Sequence, residues 1–75
     1  MIYRVNIKKY YTGQTIQTIL ETTNYDEAYV TADSWNKEHN VTEDDIHSFH
    51  NKYVVVHSDG HICQRLAVVY QDETR

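Results

Sequence analysis

The sequence predicts an α+β fold with element order ββαββ: a four-stranded, mainly antiparallel sheet with one amphipathic helix packed on one face. Three observations lead there. Residues 24–40, NYDEAYVTADSWNKEHN, carry Tyr25, Ala28, Tyr29, Ala32 and Trp35 at spacing i, i+3, i+4, i+7, i+10, the stripe of a helix. On either side lies a run with strand character, each broken once by one of the chain's two glycines, Gly13 and Gly60. The lengths also agree, since a helix of ~15 residues spans ~22 Å and a strand of ~7 residues spans ~23 Å.

The first hairpin is expected over residues 2–22. Tyr3, Val5 and Ile7 alternate with Arg4, Asn6 and Lys8, so one face belongs to the core. Thr12-Gly13-Gln14 makes the turn, and residues 15–22 return with Ile16 and Leu20 on one face and Ile19 on the other. That alternation is imperfect. The helix is expected over 24–39, with Asn24 as N-cap, Glu27 in the capping-box position and Asp26 at the positive helix end. Asn40 suits the left-handed position past the C-terminus, and Val41 can fold back on the last turn. Thr42 caps a short helical turn at 43–49, with Ile46 and Phe49 three apart.

The second hairpin is expected over 52–70. Two loops compete. A two-residue Asp59-Gly60 loop pairs Ser58 with His61 and spreads apolar residues over both faces. A three-residue Ser58-Asp59-Gly60 loop with Gly60 left-handed pairs His57 with His61 and puts Val54, Val56, Ile62, Leu66 and Val68 on one face, a cleaner segregation that favours it. The core is then Trp35 and Tyr29 against Val5, Ile7, Leu20, Val54, Val56 and Leu66. Residues 71–75 are a tail. One domain, 1–75, accounts for the whole sequence, close to the size at which a single core only just offsets chain entropy.

Composition narrows the function. Apolar residues make up 40% and charged residues 24%, which suits a folded domain rather than a disordered chain. Cys63 is the only cysteine, so no intrachain disulfide forms. No apolar run approaches the ~18 residues of a membrane span, and charges interrupt the N-terminal stretch where a signal peptide would be apolar. The expected location is the cytoplasm, or the host cytoplasm for a virus-encoded protein.

The net charge of −4 is unevenly placed. Residues 1–20 carry Arg4, Lys8 and Lys9 and no acid, whereas residues 24–45 carry seven acids against Lys37 alone. Direct nucleic-acid binding through Arg4, Lys8 and Lys9 with Tyr10 and Tyr11 is disfavoured, because that affinity comes mostly from neutralising phosphates. No GxGxxG, Walker A, HExxH or EF-hand pattern is present, so no cofactor and no enzymatic activity are expected. Cys63 sits mid-strand, without the setting that activates a nucleophile. Five histidines are many for this length, and His57, His61 and Cys63 share a face in the expected register, making them the candidate metal ligands.

The reading that remains is a non-catalytic protein-interaction module. Asp26, Glu27, Asp33, Glu38, Glu43, Asp44 and Asp45 form an acidic surface for a basic protein partner, in the manner of a nucleic-acid mimic. Tyr53, Val55 and Val69, with Cys63 and Ala67, form an outer face suited to a homodimer. Such a module fits a small regulator or inhibitor of the kind that phages and mobile elements encode. The alternative is a small metal- or ligand-binding protein using the His57/His61/Cys63 face.

Overall fold

The first hairpin and the helix form close to the expected boundaries. In the computed structural model, which describes residues 1–72, strand β1 is Ile2–Lys9 and strand β2 is Thr15–Thr22, paired antiparallel. Gly13 closes the turn at φ +70°, where a Cβ would be strained, and donates its N–H to the Lys9 carbonyl at 2.9 Å. The imperfect alternation of β2 is resolved by a bulge. Val5 faces Leu20 and Asn6 faces Thr18, so Ile19 is the extra residue. Ile19 and Leu20, neighbours in sequence, therefore both pack on the same core.

Helix α1 is Tyr25–Glu38. The Asn24 side chain accepts from the Glu27 N–H at 3.2 Å, while the Asn24 N–H is taken by the Thr22 hydroxyl at 3.1 Å rather than by Glu27. At the other end Asn40 is left-handed at φ 58°, and the N–H groups of Val41 and Asn40 reach the carbonyls of Asn36 and Lys37. This is the Schellman arrangement, with Val41 packed beside Trp35.

Among the described residues the sheet has three strands, in the order β2-β1-β3, where β3 is Arg65–Asp72 and runs antiparallel to β1. The expected architecture of four strands and one helix is thus corrected to three strands and two helices. Helix α2, Glu43–Asn51, replaces the short turn expected at 43–49. Its N-terminus is a complete capping box: Thr42 Oγ accepts from the Asp45 N–H, and Asp45 Oδ2 accepts from the Thr42 N–H at 3.1 Å.

The expected second hairpin survives only at its tip. Val56 and Ile62 form an isolated bridge, His57 donates to the His61 carbonyl at 3.0 Å, and Gly60 is left-handed at φ 85°. The three-residue loop and the His57–His61 pairing are as the sequence suggested, but residues 52–55 form no strand. In that register residues 52–55 would face 63–66 along the outer edge of β3. Just beyond them Asn36 of α1 takes both backbone groups of Ala67, donating to its carbonyl at 3.0 Å and accepting from its N–H at 2.7 Å. Cys63 Sγ donates to the next carbonyl, Arg65, at 3.3 Å. Residues 53–55 are held instead by the buried Tyr10 hydroxyl, which donates to the Tyr53 carbonyl and accepts from the Val55 N–H.

Two apolar clusters result. Val5, Ile7, Ala28, Ala32 and Ala67 form one between α1 and the sheet, joined by Val69, Ile19 and Leu20. Tyr10, Val41, Cys63 and Leu66 form the other, joined by Ile46, Phe49, Ile62 and Val68, and Trp35 packs on both. Ala67 and Val69, expected outside, lie under the helix. Val54 and Val56, expected inside, are exposed. The inward stripe of α1 is also turned: Ala28, Ala32 and Asn36 are buried, whereas Tyr25 and Tyr29 are 51% and 55% exposed. The two bonds from Asn36 to Ala67 set this rotation, and the alanines let the helix sit close to the strands. Of the tail at 71–75, Gln71 and Asp72 belong to β3, and residues 73–75 lie outside the described residues.

Candidate interaction surface

The acids divide into three kinds by their surroundings. Asp33 is paired with Lys37 at 3.0 Å, one helical turn away. Asp26, Glu27, Glu38, Glu43 and Asp44 are exposed, and none has an ion-pair partner among the described residues. Asp45 is fully buried, which removes it from the expected partner surface.

Asp45 has a structural position that the charge pattern concealed. Its Oδ2 accepts from the Thr42 N–H, and its Oδ1 meets His57 Nε2 at 2.8 Å. Burial pushes its pKa up, but the hydrogen bonds from Thr42 and His57 outweigh that and hold it below the ordinary aspartate value. His57 lies on His61 with ring centroids 4.4 Å apart, and His61 Nδ1 meets Asp59. Asp59 is likewise held below its ordinary value, chiefly by the His61 backbone N–H. Deeper still, the Ser48 hydroxyl donates to the Asp45 carbonyl at 2.8 Å and meets the Tyr10 hydroxyl. The side chains of Asp45, His57, Ser48 and Tyr10 thereby fasten α2 and the 53–64 segment to the sheet.

The candidate metal ligands are not brought into one coordination site. His57 Nε2 is taken by Asp45, and burial raises the Cys63 thiol to about 11, which keeps it protonated at neutral pH. Among the described residues, no three His, Cys, Asp or Glu side chains converge as a metal would require. A cleft of about 650 Å³ does open beside them, lined by Trp35, His39, His61, Cys63 and Arg65. The indole of Trp35 and the imidazole of His39 are stacked there at 3.7 Å.

The proposed dimer face is not assembled either. Tyr53 is exposed, Val55 is half-buried in the segment bound to Tyr10, and Val69 packs under α1, so the three share no surface. On the basic end, the Arg4 guanidinium is engaged by Asp72 at 2.5 Å and by Glu21 at 2.9 Å, and Tyr10 is buried. Those pairings raise the Arg4 pKa further above its ordinary value. No helix of the described residues is long and apolar enough to cross a membrane.

Comparison with family models, with curated proteins and with solved structures gives no match.

Proposed function

We propose that this chain is a non-catalytic protein-interaction module that engages a basic partner through the acidic surface of α1 and the first turn of α2. The observation that supports this reading most is the set of five exposed carboxylates without cationic partners among the described residues: Asp26, Glu27, Glu38, Glu43 and Asp44. From Asp26 to Glu38 the strip runs ~18 Å along the helix axis at 1.5 Å per residue. Glu43 continues it onto α2, near enough to α1 for its charge to raise the pKa of Lys37, after the larger effect of Asp33. Beyond it, Glu43, Asp44, Ile46, His47 and His50 line a shallow hollow, which suits a lysine or arginine stem with its charge at the acidic rim. Clustered like charges oppose folding slightly, which a binding role offsets.

Regulation or inhibition of a nucleic-acid-binding protein, by occupying its basic surface, is the setting this chemistry fits. Capture at low salt tests it. The parent protein should retain a basic partner, and the variant with Asp26→Lys, Glu38→Lys and Asp44→Lys should not. Equal retention by both would reduce the acids to a solvated face. A second reading, binding of a small ligand beside His61 and Cys63, rests on the cleft there, whose volume lies within the usual range for ligand pockets, ~300–1,000 Å³. Cys63 would contribute to it as a neutral thiol.

A further inference from the structure

We propose that the chain forms a two-fold homodimer by pairing the open part of its β3 edge, Val69–Gln71, with the same segment of a second copy. The inference goes beyond the acidic-surface reading and stands on different residues.

Two contacts fix the backbone phase of β3. Asn36 takes both the N–H and the carbonyl of Ala67, so Ala67 faces away from β1. Successive strand residues alternate in this respect, and the N–H of Tyr10 on the Gln64 carbonyl confirms the opposite phase for even residues. Arg65, Ala67, Val69 and Gln71 therefore present their backbone groups outward. Cys63 occupies the first carbonyl and Asn36 occupies Ala67. Val69 and Gln71 have no hydrogen-bond partner on that side among the described residues.

The two outer strands are guarded differently. β2 carries two register shifts against β1, and bulges of this kind discourage edge pairing. β3 pairs with β1 without a shift, and its open stretch, Val-Tyr-Gln, has no lysine, proline or bulge. The edge that is left regular is the one left open.

Side chains around it suit a second copy. At 100° per residue, Tyr25, Tyr29 and Asn36 lie on one flank of α1, and Asn36 shows that this flank overlooks the β3 edge. Tyr25 packs edge-on against Tyr3, whose β3 partner is Gln71, so the tyrosines stand near the open stretch. Tyr25 and Tyr29 stack on each other and remain about half exposed. Tyr70, on the opposite sheet face, is also half exposed.

An antiparallel pairing of β3 with itself satisfies all four open groups at once. Val69 faces Gln71 of the partner subunit, Gln71 faces Val69 of the partner subunit, and Tyr70 meets Tyr70 of the partner subunit on the axis. The result is a six-stranded sheet with both α1 helices on one side and tyrosines from each copy lining the seam.

Sedimentation equilibrium of the full chain, followed by one blocking and one cross-linking variant, tests this. The parent should have twice its chain mass of 8.9 kDa. Gln71→Pro removes an outward N–H without touching the β1 ladder and should give a monomer with unchanged circular dichroism. Tyr70→Cys in a Cys63→Ser background should oxidise to a disulfide-linked dimer, because a non-hydrogen-bonded pair places its Cα atoms ~4.5 Å apart, within disulfide reach. Ile16→Cys on the bulged β2 edge, in the same background, should not. The proposal is overturned if the parent stays monomeric up to about 100 µM, if folded Gln71→Pro remains a dimer, or if Tyr70→Cys cross-links no better than Ile16→Cys.

Discussion

Removing the Asp45 carboxylate should loosen the whole lower half of the molecule, and the structure sets the size of the effect. Asp45→Ala deletes the Thr42 half of the capping box at 3.1 Å and the contact with His57 at 2.8 Å. Both contacts end on the carboxylate, and a hydrogen bond to a charged group contributes ~1.5–3 kcal/mol. The Asp45 side chain is 1% exposed and that of His57 20%, so solvent screening discounts little of this. A loss of ~3 kcal/mol follows, within the range for breaking a buried pair. Against the ~4–11 kcal/mol expected of a domain this size, it is a large share.

Urea denaturation of the parent, Asp45→Ala, His57→Ala and the double variant isolates the pair as a coupling energy of ~1.5–3 kcal/mol. The pH dependence has a defined sign. Because the folded state holds Asp45 below its ordinary value of 3.8, it binds that proton less readily than the unfolded chain does. The stabilisation is therefore full above the unfolded value and is lost as pH falls through the folded one. Asp45→Ala should lack this acid limb. A coupling energy near zero, or an unchanged acid limb in the variant, would refute the role given to the pair.

Other expectations follow from the same contacts. Asn36→Ala leaves the buried N–H and carbonyl of Ala67 unpaired and should cost ~2–6 kcal/mol in urea denaturation, at ~1–3 kcal/mol per group. Trp35→Ala, which touches both clusters, should lower stability by ~3 kcal/mol, and unchanged melting would contradict its bridging position. Chelation should leave the melting temperature where it is, because His57 is committed to Asp45 and Cys63 stays protonated; a rise of several degrees with zinc would favour a metal-binding reading.

Local chemistry was legible in the sequence and long-range chemistry was not. The caps at Asn24, Asn40 and Thr42, the two glycine turns and the His57–His61 register all depend on residues within a few positions of one another. The bulge at Ile19 was visible as an alternation that failed. Asn36 could have been noticed as a polar residue one turn beyond Ala32, but its partner, Ala67, is 31 positions away. That amide turns the Asn36 flank of α1 to the β3 edge, while residues 53–55 are held away from a strand by Tyr10 and by the Ser48 carbonyl. By charge pattern Asp45 is one more acid beside Glu43 and Asp44, and its place three residues after the cap Thr42 is the one local sign of its capping role. Its burial depended on His57, which no local rule connects to it.

The acidic surface remains the centre of the functional account, and one kinetic measurement bears on it most directly. Association rates with a captured partner, measured by stopped flow across ionic strength for the parent and the Asp26/Glu38/Asp44 reversal variant, separate steering from incidental charge. The account predicts a parent rate that falls steeply with salt, and a variant rate that is lower at low salt and nearly flat. The triple variant should stay folded, since reversal at Asp26 and Asp44, in the first turns of α1 and α2, costs only ~0.3–1 kcal/mol each, and a lysine in place of Glu38, in the last turn of α1, suits the helix dipole. A folded variant that associates at low salt as fast as the parent, with the same salt slope, would contradict the account.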